Sequence, residues 1–257
     1  MRKFIFLGLI LIQFSFVLAI QPFGANFTVE SSTRAEPDSP QSVEALAGNV
    51  TELNIQGFST TQSWQGYFGN VSGTIMLADS SDSVMYNWSL ASPQGEIYAS
   101  TNDSVSWSDV QCLNFTSDGT YVSESGNGGT TNQHGTNLTQ LEALFNIDWD
   151  DVDGVNETFN LFGPGTHDLF YTNNLEFSEG ECRNTRIFDS SGSGINDNFE
   201  EVLMYDPVTR SIIFASIIDE DVNGFDGATH DFEMLVLEDG HETDVDTTTY
   251  YFYVELE

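Results

Sequence analysis

The sequence has almost no positive charge. It contains six lysine and arginine residues against 40 aspartate and glutamate residues, a formal net charge of -34 at pH 7. Because binding to phosphate groups needs a basic surface, this composition excludes nucleic acid as a partner and predicts repulsion from an anionic membrane. A chain of this charge is tolerable only where salt screens the carboxylates or cations occupy them.

Long apolar runs are also missing beyond residue 20. Before that point, Arg2 and Lys3 precede an apolar stretch over residues 4–20, with small residues around Ala19. This arrangement predicts a secretory signal peptide over residues 1–19, cleaved near Ala19. An uncleaved anchor is the alternative, but a membrane-spanning helix usually needs about 20 apolar residues. We therefore expect a secreted or cell-surface protein without a membrane span after signal removal.

Only two cysteines are present, Cys112 and Cys182. An even number of cysteines in an exported chain predicts a disulfide, which here would stabilise the fold by about 4 kcal/mol on the chain-entropy model. Structural zinc is disfavoured because such sites use four protein ligands. We expect a disulfide between these two residues.

Sequence motifs of common enzymes are missing as well. The sequence has no phosphate-binding loop, no paired histidines of a zinc protease helix and no nucleophile elbow. A glycosidase needs two carboxylates, but 40 acidic residues make any one pair uninformative. The histidines lie in polar or turn contexts, where surface positions are expected: His134, His167, His230 and His241. No catalytic residue is predicted, and the sequence favours a non-enzymatic protein without excluding catalysis.

What the sequence does contain is strand patterning. Residues 20–47 lack periodicity and include three prolines, Pro22, Pro37 and Pro40, which predicts a flexible linker. A glycosylated β region is predicted over residues 48–118, then a Gly/Ser/Thr/Asn-rich loop over 119–136, and a helix with an acidic β region over 137–257. Short strands separated by turn residues predict an all-β, mainly antiparallel fold, a β-sandwich that is either one large or two packed.

Two strands are predicted early in the first β region. Apolar or small residues alternate with polar ones over residues 71–77 and again over residues 84–90. Each run predicts a strand with one face buried in the core. The same alternation places Asn70 and Asn87 on the outer face.

In the second half, one helix and one hairpin are predicted. A substantial helix is expected near residues 137–147, with Thr136 or Asn137 as its N-cap. Its apolar residues recur at helical spacing: Leu138, Leu141, Leu144 and Phe145. The dipeptide Asp206-Pro207 predicts the turn of a β-hairpin.

Potential glycosylation sites and acidic residues are distributed in opposite ways. N-x-S/T sequons occur at Asn26, Asn49, Asn70, Asn87, Asn102, Asn114, Asn137 and Asn156. None follows residue 156, whereas 13 acidic residues lie up to residue 145 and 27 after it. We therefore expect N-linked glycans on the first half and a surface of carboxylates on the second.

One acidic stretch, DEDVNGFDG from residue 219, resembles the first half of a calcium-binding loop. Oxygen-bearing residues alternate there, and a glycine supplies the turn. The usual final glutamate is missing, so other oxygens would have to complete the shell. The predicted ligands are Asp219, Asp221, Asn223, the carbonyl of Phe225, Asp226 and Asp231. The alternative is an acidic turn between strands; calcium is the one cofactor predicted.

Aromatic residues raise a second question about sugars. In SWQGYFGNVSG, Trp64, Tyr67 and Phe68 precede a sequon asparagine. Exposed rings side by side would form a sugar-binding platform, whereas buried rings would be core beneath an attached glycan. A further strand is predicted within TTTYYFYVELE, residues 247–257. Its residues Tyr251 and Tyr253 are further candidates for binding a surface glycan.

Four segments of the chain resemble an uncharacterised group of exported archaeal cell-surface β-proteins from salt-adapted and small-genome lineages. They are GNVTELNI, WQGYFGNVSGTI, YNWSLASPQGEIYAS and ATHDFEMLVLEDGHETDVDTTTYYFYVELE. The resemblance covers roughly residues 48–100 and 199–257. It implies an archaeal secreted or surface protein with sequons that are used, and it implies no catalytic or binding residue.

The resulting hypothesis is a non-enzymatic secreted or cell-surface glycoprotein, a coat, adhesive or extracellular assembly component. Its partners would be other surface proteins or further copies of itself, contacted through the glycan-free second half. The alternative is a carbohydrate-binding module or an acid-dyad glycoside hydrolase stabilised by calcium. A third reading is a structural spacer loaded with ions.

Overall fold

The computed structural model describes residues 21–113, 115, 136–240 and 247–256. The predicted signal peptide (1–19), residues 119–135 of the predicted loop and Asn114 lie outside these ranges. The described chain is mostly antiparallel β-structure in several sheets, with two short helices. The predicted all-β fold with a minor helix is therefore confirmed.

Along the described chain, six strands precede the two helices and nine strands follow them. The helices are α1 (Leu138–Leu144) and α2 (Val155–Thr158). The strands are β1 (Phe23–Gly24), β2 (Trp64–Gly69), β3 (Gly73–Ala78), β4 (Val84–Leu90), β5 (Gly95–Ser100), β6 (Gln111–Cys112), β7 (Phe170–Thr172), β8 (Leu175–Phe177), β9 (Asn184–Arg186), β10 (Glu200–Asp206), β11 (Ser211–Ile217), β12 (Val222–Asn223), β13 (Thr229–His230), β14 (Phe232–Leu237) and β15 (Tyr251–Leu256).

Seven strands form the central sheet, in the order β1-β15-β5-β11-β10-β6, with β9 also pairing with β10. All of these pairs are antiparallel. β10 and β11 are joined by the turn at Asp206-Pro207 as predicted, and both are buried on both faces. Because β5 and β6 come from the first half of the chain, the two halves share one sheet.

Apolar side chains cover both faces of the central sheet. The helix-side core includes Leu203, Tyr205, Ile212 and Phe214 from the sheet, and Leu138, Leu141, Phe145, Val155 and Phe159 from in and around the helices. The disulfide-side core includes Tyr98, Val202, Met204, Ile213, Ala215 and Tyr253 from the sheet, with Trp107, Phe170, Phe177 and Cys182 packed on them. Alternate residues of each central strand thus enter different cores, as strand geometry requires.

The helix α1 is held by its first turn. Asn137 is the N-cap: its Oδ1 accepts the N–H of Gln140, and the Gln140 side chain accepts the N–H of Asn137, a capping box. The predicted helix is confirmed, although it ends at Leu144. Asn146 follows with a φ of 51°, which ends the helical path.

A second, two-stranded sheet covers part of the helix-side core. β2 and β14 pair antiparallel, and Met234, Val236 and Leu237 of β14 point into that core. The Ser216 hydroxyl of β11 donates to the carbonyl of Glu233 at 2.8 Å, which ties the two sheets together. This layer and the two helices bury one face of the central sheet.

The β3–β4 hairpin departs from the prediction. Its residues alternate as expected, but residues 74–89 are exposed on both faces, so the prediction of one buried face is wrong. Only its base contacts the protein core: a Cβ added to Gly73 would lie 2.4 Å from Leu256 of β15. No other element of the described chain covers the apolar face of the β3–β4 hairpin. The β2–β14 sheet and the two helices pack on the central sheet instead.

Candidate functional site: an exposed hairpin and buried carboxylates

The exposed hairpin presents one apolar face, defined by Ile75, Leu77, Tyr86 and Trp88. Ile75 lies opposite Trp88 and Leu77 opposite Tyr86, so the four side chains share one side of the two strands. The Tyr86 and Trp88 rings lie 4.9 Å apart, and Trp88 is 51% exposed. Contiguous exposed apolar side chains of this kind are typical of contact surfaces.

The opposite face of the hairpin is more polar. Asn87 lies opposite Met76, and Ser89 lies opposite Thr74. Because neighbouring residues of a strand point to opposite sides, a glycan on Asn87 would project away from the apolar face. Glycosylation and close contact are therefore compatible on this one hairpin.

The hairpin is nearly free of charge, and its edges are open. Its two carboxylates, Asp79 and Asp82, both belong to the turn between the strands. Backbone N–H groups of Ser81 and Ser83 donate to Asp79 and lower the pKa of that carboxyl. In the described chain the sheet consists of β3 and β4 alone, so each strand has one edge without a strand partner.

A long loop over residues 25–62 connects β1 to β2. It contains no helix or strand, including the part from residue 48 that was predicted as β structure, and residues 26–59 are all exposed. Its ends are fixed: the Ala25 N–H donates to Phe252 and the Gly240 N–H to Gln62, both at 2.9 Å. Loops of this length without internal structure are usually linkers or functional segments.

Most of the predicted glycosylation sites are accessible. The asparagines that lie exposed are Asn26, Asn49, Asn70, Asn87 and Asn156. Asn102 is half-buried and its side chain accepts the N–H of Ser104. Asn137 is 4% exposed and caps α1, which leaves no room for a sugar in the folded protein. Asn137 is therefore removed from the set of candidates.

The predicted disulfide between Cys112 and Cys182 is present, with a Cα–Cα distance of 5.2 Å. It joins β6 at the sheet edge to the segment before β9. The Cys182 N–H donates to Nε2 of His167 at 3.1 Å, and Nδ1 of His167 lies 2.7 Å from the carbonyl of Asp168. Burial lowers the pKa of His167. This histidine is thus a hydrogen-bonded core residue, not the surface residue that was predicted.

The acidic stretch from residue 219 forms the small β12–β13 hairpin and its turn. Its carboxylates bind protein groups: Asp231 accepts the N–H of Asp221 at 3.0 Å and of Val71 at 2.6 Å, and Asp219 accepts the N–H of Phe199 at 2.7 Å. These bonds hold the turn against β2 and against the segment before β10.

Two more of the predicted calcium ligands, Asp226 and Asn223, also contact protein atoms. Asp226 accepts the Ala228 N–H and lies 3.0 Å from Nε2 of His230, and the Asn223 side chain donates to Ser190. Across the described ranges, no three His, Cys, Asp or Glu side chains are grouped so that they could hold a metal ion. The geometry supports a stabilised acidic turn, and the calcium site stays a prediction.

One buried carboxylate pair lies in the disulfide-side core. Glu96 of β5 is opposite Glu255 of β15, and the Tyr98 hydroxyl lies 3.3 Å from the first and 3.4 Å from the second. Burial, with the two nearby carboxylates, raises the pKa of Tyr98 well above its usual value. A glycosidase needs two such acids, but Glu96 and Glu255 are 4% and 5% exposed, so a sugar chain has no access to them.

Further buried acids support β10 and β14. Glu201 accepts the Leu235 N–H at 2.9 Å, and burial raises its pKa well above the usual range. Glu200 pairs with Arg186 at 3.1 Å. Burial, reinforced by nearby carboxylates, raises the pKa of Asp219 to about 6. These groups act as acceptors for backbone N–H groups and hold neighbouring strands together.

The aromatic candidates for sugar binding lie apart. Trp64 packs in the helix-side core and its indole donates to the Asp153 carbonyl at 2.6 Å. Phe68 points to the other side, where its ring lies 4.7 Å from that of His230. Tyr253 is buried against Trp107, whereas Tyr251 is exposed. The four candidate rings, Trp64, Phe68, Tyr251 and Tyr253, therefore do not form a shared flat platform.

No family model, curated protein or solved structure matches this chain. Among the described residues, no helix combines the length and the apolar character needed to cross a membrane.

Sequence reasoning missed two features of the structure. The apolar face of the hairpin was predicted to be core, because alternation shows which residues share a face and not what covers them. The pairing of Glu96 with Glu255 joins residues far apart in the sequence, and no local pattern marks it. A signal for the first feature was available: the near absence of charge on both faces of a strand pair in a strongly acidic chain.

Proposed function

We propose that this protein is a non-enzymatic exported glycoprotein that serves as a structural subunit of an extracellular or cell-surface assembly. The amino-terminal sequence, the exposed sequons and the disulfide all support export. The buried position of Glu96 and Glu255, and the hydrogen-bonded position of His167, favour a non-catalytic role.

One observation carries the proposal: a projecting hairpin with large exposed apolar side chains. A chain with a net charge of -34 gains solubility from its acidic surface, so an uncharged apolar face is a cost unless it is covered in use. The hairpin, not the second half of the chain, offers this contact surface. An assembly subunit accounts for it because assembly buries the face.

Imaging of native cells with an antibody against the protein tests this function. We expect label on filaments or on a coat at the cell surface. Label confined to the cell interior, or a freely diffusing protein in the medium, would overturn the proposal.

Glycopeptide mapping of protein from its native source provides a second test. We expect sugar on the exposed sites Asn70 and Asn87 and none on Asn137, because Asn137 is buried. The buried asparagine is the matched control. Unmodified Asn70 and Asn87 would remove glycosylation from the proposal.

A further inference from the structure

Two features of the described chain are exposed along most of their length. The β3–β4 hairpin has an exposed apolar face and two open strand edges. The loop over residues 25–62 is exposed throughout residues 26–59. Unpaired strand edges and exposed apolar side chains both favour association with another chain.

Part of this loop has the sequence of a strand. In residues 52–57 (ELNIQG), Leu53 and Ile55 alternate with polar residues, the pattern of a strand with one buried face. In the structure this segment is unpaired, and Ile55 is 88% exposed. The preceding residues 48–51 (GNVT) match in type the residues 69–72 (GNVS) that lead into β3.

Charge decides which surfaces of two copies can approach each other. Each copy carries a net charge of -34, so most contacts between copies are repulsive. The hairpin has its two carboxylates in the turn, and residues 52–57 contain one, Glu52. These two segments can therefore meet where other surfaces repel. A basic partner would instead be attracted to the acidic surfaces, so the nearly uncharged hairpin fits a second copy better.

We propose that residues 52–57 of one copy add as a third strand to an open edge of the β3–β4 hairpin in a second copy. Leu53 and Ile55 then extend the apolar face of that hairpin. Backbone pairing of this kind is a common mode of strand recognition, and a three-stranded sheet is more stable than an isolated hairpin. The inference rests on the proposed function and names the partner.

The arrangement has consequences for assembly. The donating loop and the accepting hairpin are different surfaces, so a contact in which each copy donates to the next is head-to-tail and leads to rings or open filaments. A glycan on Asn87 would point away from the apolar face and leave the contact clear.

A mixing experiment tests the proposal. The hairpin variant Ile75→Thr/Trp88→Thr and the loop variant Leu53→Ser/Ile55→Ser are compared with the wild type by analytical ultracentrifugation in about 1 M salt, where the Debye length is about 3 Å. The wild type is expected to form oligomers that grow with concentration. Each variant alone is expected to lose at least about tenfold in association constant, and their equimolar mixture to form heterodimers from one intact contact.

The matched control replaces two exposed apolar residues elsewhere, Val152→Ser/Phe188→Ser, and is expected to assemble as the wild type does. A loop variant that assembles like the wild type would overturn the proposal, as would a mixture that stays monomeric. If the hairpins pair with each other instead, the loop variant assembles normally, which is the same contradiction.

A peptide with the sequence of residues 49–60 keeps the test decisive if a variant fails to fold. The peptide is expected to bind the wild-type protein and to shorten its oligomers, while a peptide with Ser at both Leu53 and Ile55 does neither. Equal effects of the two peptides would contradict the proposal. These outcomes concern self-association alone, so they are separate from the imaging of native cells, which tests the proposed function.

Discussion

The β3–β4 hairpin and the central sheet distribute polar and apolar side chains in opposite ways. The hairpin exposes Trp88 and Tyr86, whereas the central strands bury the carboxylates of Glu96, Glu201 and Glu255. Soluble proteins usually bury apolar groups and expose charges. The central sheet therefore has to accommodate buried carboxylates, whereas the hairpin has to accommodate exposed apolar side chains.

In the central sheet, each of these three acids accepts at least one hydrogen bond from the protein, although one oxygen of Glu201 is buried without a partner among the described residues. Leu235 donates its N–H to Glu201, and Asn173 donates its N–H to Glu255. Apolar residues on both faces of the same strands provide the stability that offsets this burial. In the hairpin neither donors nor covers are present in the described chain, so its apolar face contributes little to the folding of one copy. The stability of one copy therefore resides mainly in the central sheet, and changes to the hairpin face should affect folding little.

The largest expected difference between the two regions is in stability. Phe214→Ala in β11 removes a fully buried ring from the helix-side core and should lower the free energy of unfolding by about 3–5 kcal/mol. Trp88→Ala in the hairpin removes a larger ring that is half-exposed and should change it by less than about 1 kcal/mol. Urea denaturation of dilute protein measures both. Equal losses would show that the hairpin belongs to the folding core.

A smaller effect is expected from pH. Burial raises the pKa of Asp219 to about 6, so the folded chain holds its proton more tightly than the unfolded chain does. The stabilisation from this group is fully present below its ordinary pKa of 3.8 and is lost as the pH rises through about 6. Asp219→Asn should therefore match the wild type near pH 4 and exceed it by roughly 1–3 kcal/mol at pH 7.

Thermal unfolding between pH 4 and pH 7 in high salt checks this prediction, because salt suppresses the general repulsion among carboxylates. The control is Asp82→Asn in the exposed turn of the hairpin, which removes one negative charge far from Asp219. A steeper loss of stability with pH in Asp219→Asn than in the wild type would contradict the account of buried acids.

Much of the central sheet could be predicted from sequence. The apolar run around Asp206-Pro207 indicated a buried hairpin because continuous apolar residues on both sides of a turn leave few alternatives. The capping asparagine and the spacing of Leu138 and Leu141 indicated α1, because N-caps and helical periodicity depend only on neighbouring residues. The even number of cysteines, together with the predicted signal peptide, indicated the disulfide because disulfides form in oxidising compartments.

The parts that sequence did not predict depend on contacts between distant segments. Whether the alternating face of β3 and β4 is covered depends on where the rest of the chain packs, which periodicity does not encode. The burial of Asn137 arises because the helix it caps packs into the helix-side core, so the sequon alone was misleading. The scattered rings of Trp64, Phe68 and Tyr253 likewise follow from strand placement.

Hydrogen exchange compared between dilute and concentrated protein distinguishes the hairpin and loop from the central sheet. We expect peptides from β3, β4 and residues 52–57 to exchange rapidly in dilute solution and to become protected on concentration in high salt. Peptides from β10 and β11 should be protected equally in both. If the hairpin and loop peptides exchange at the same rate at both concentrations while the protein forms oligomers, the contact surface lies elsewhere and the account is contradicted.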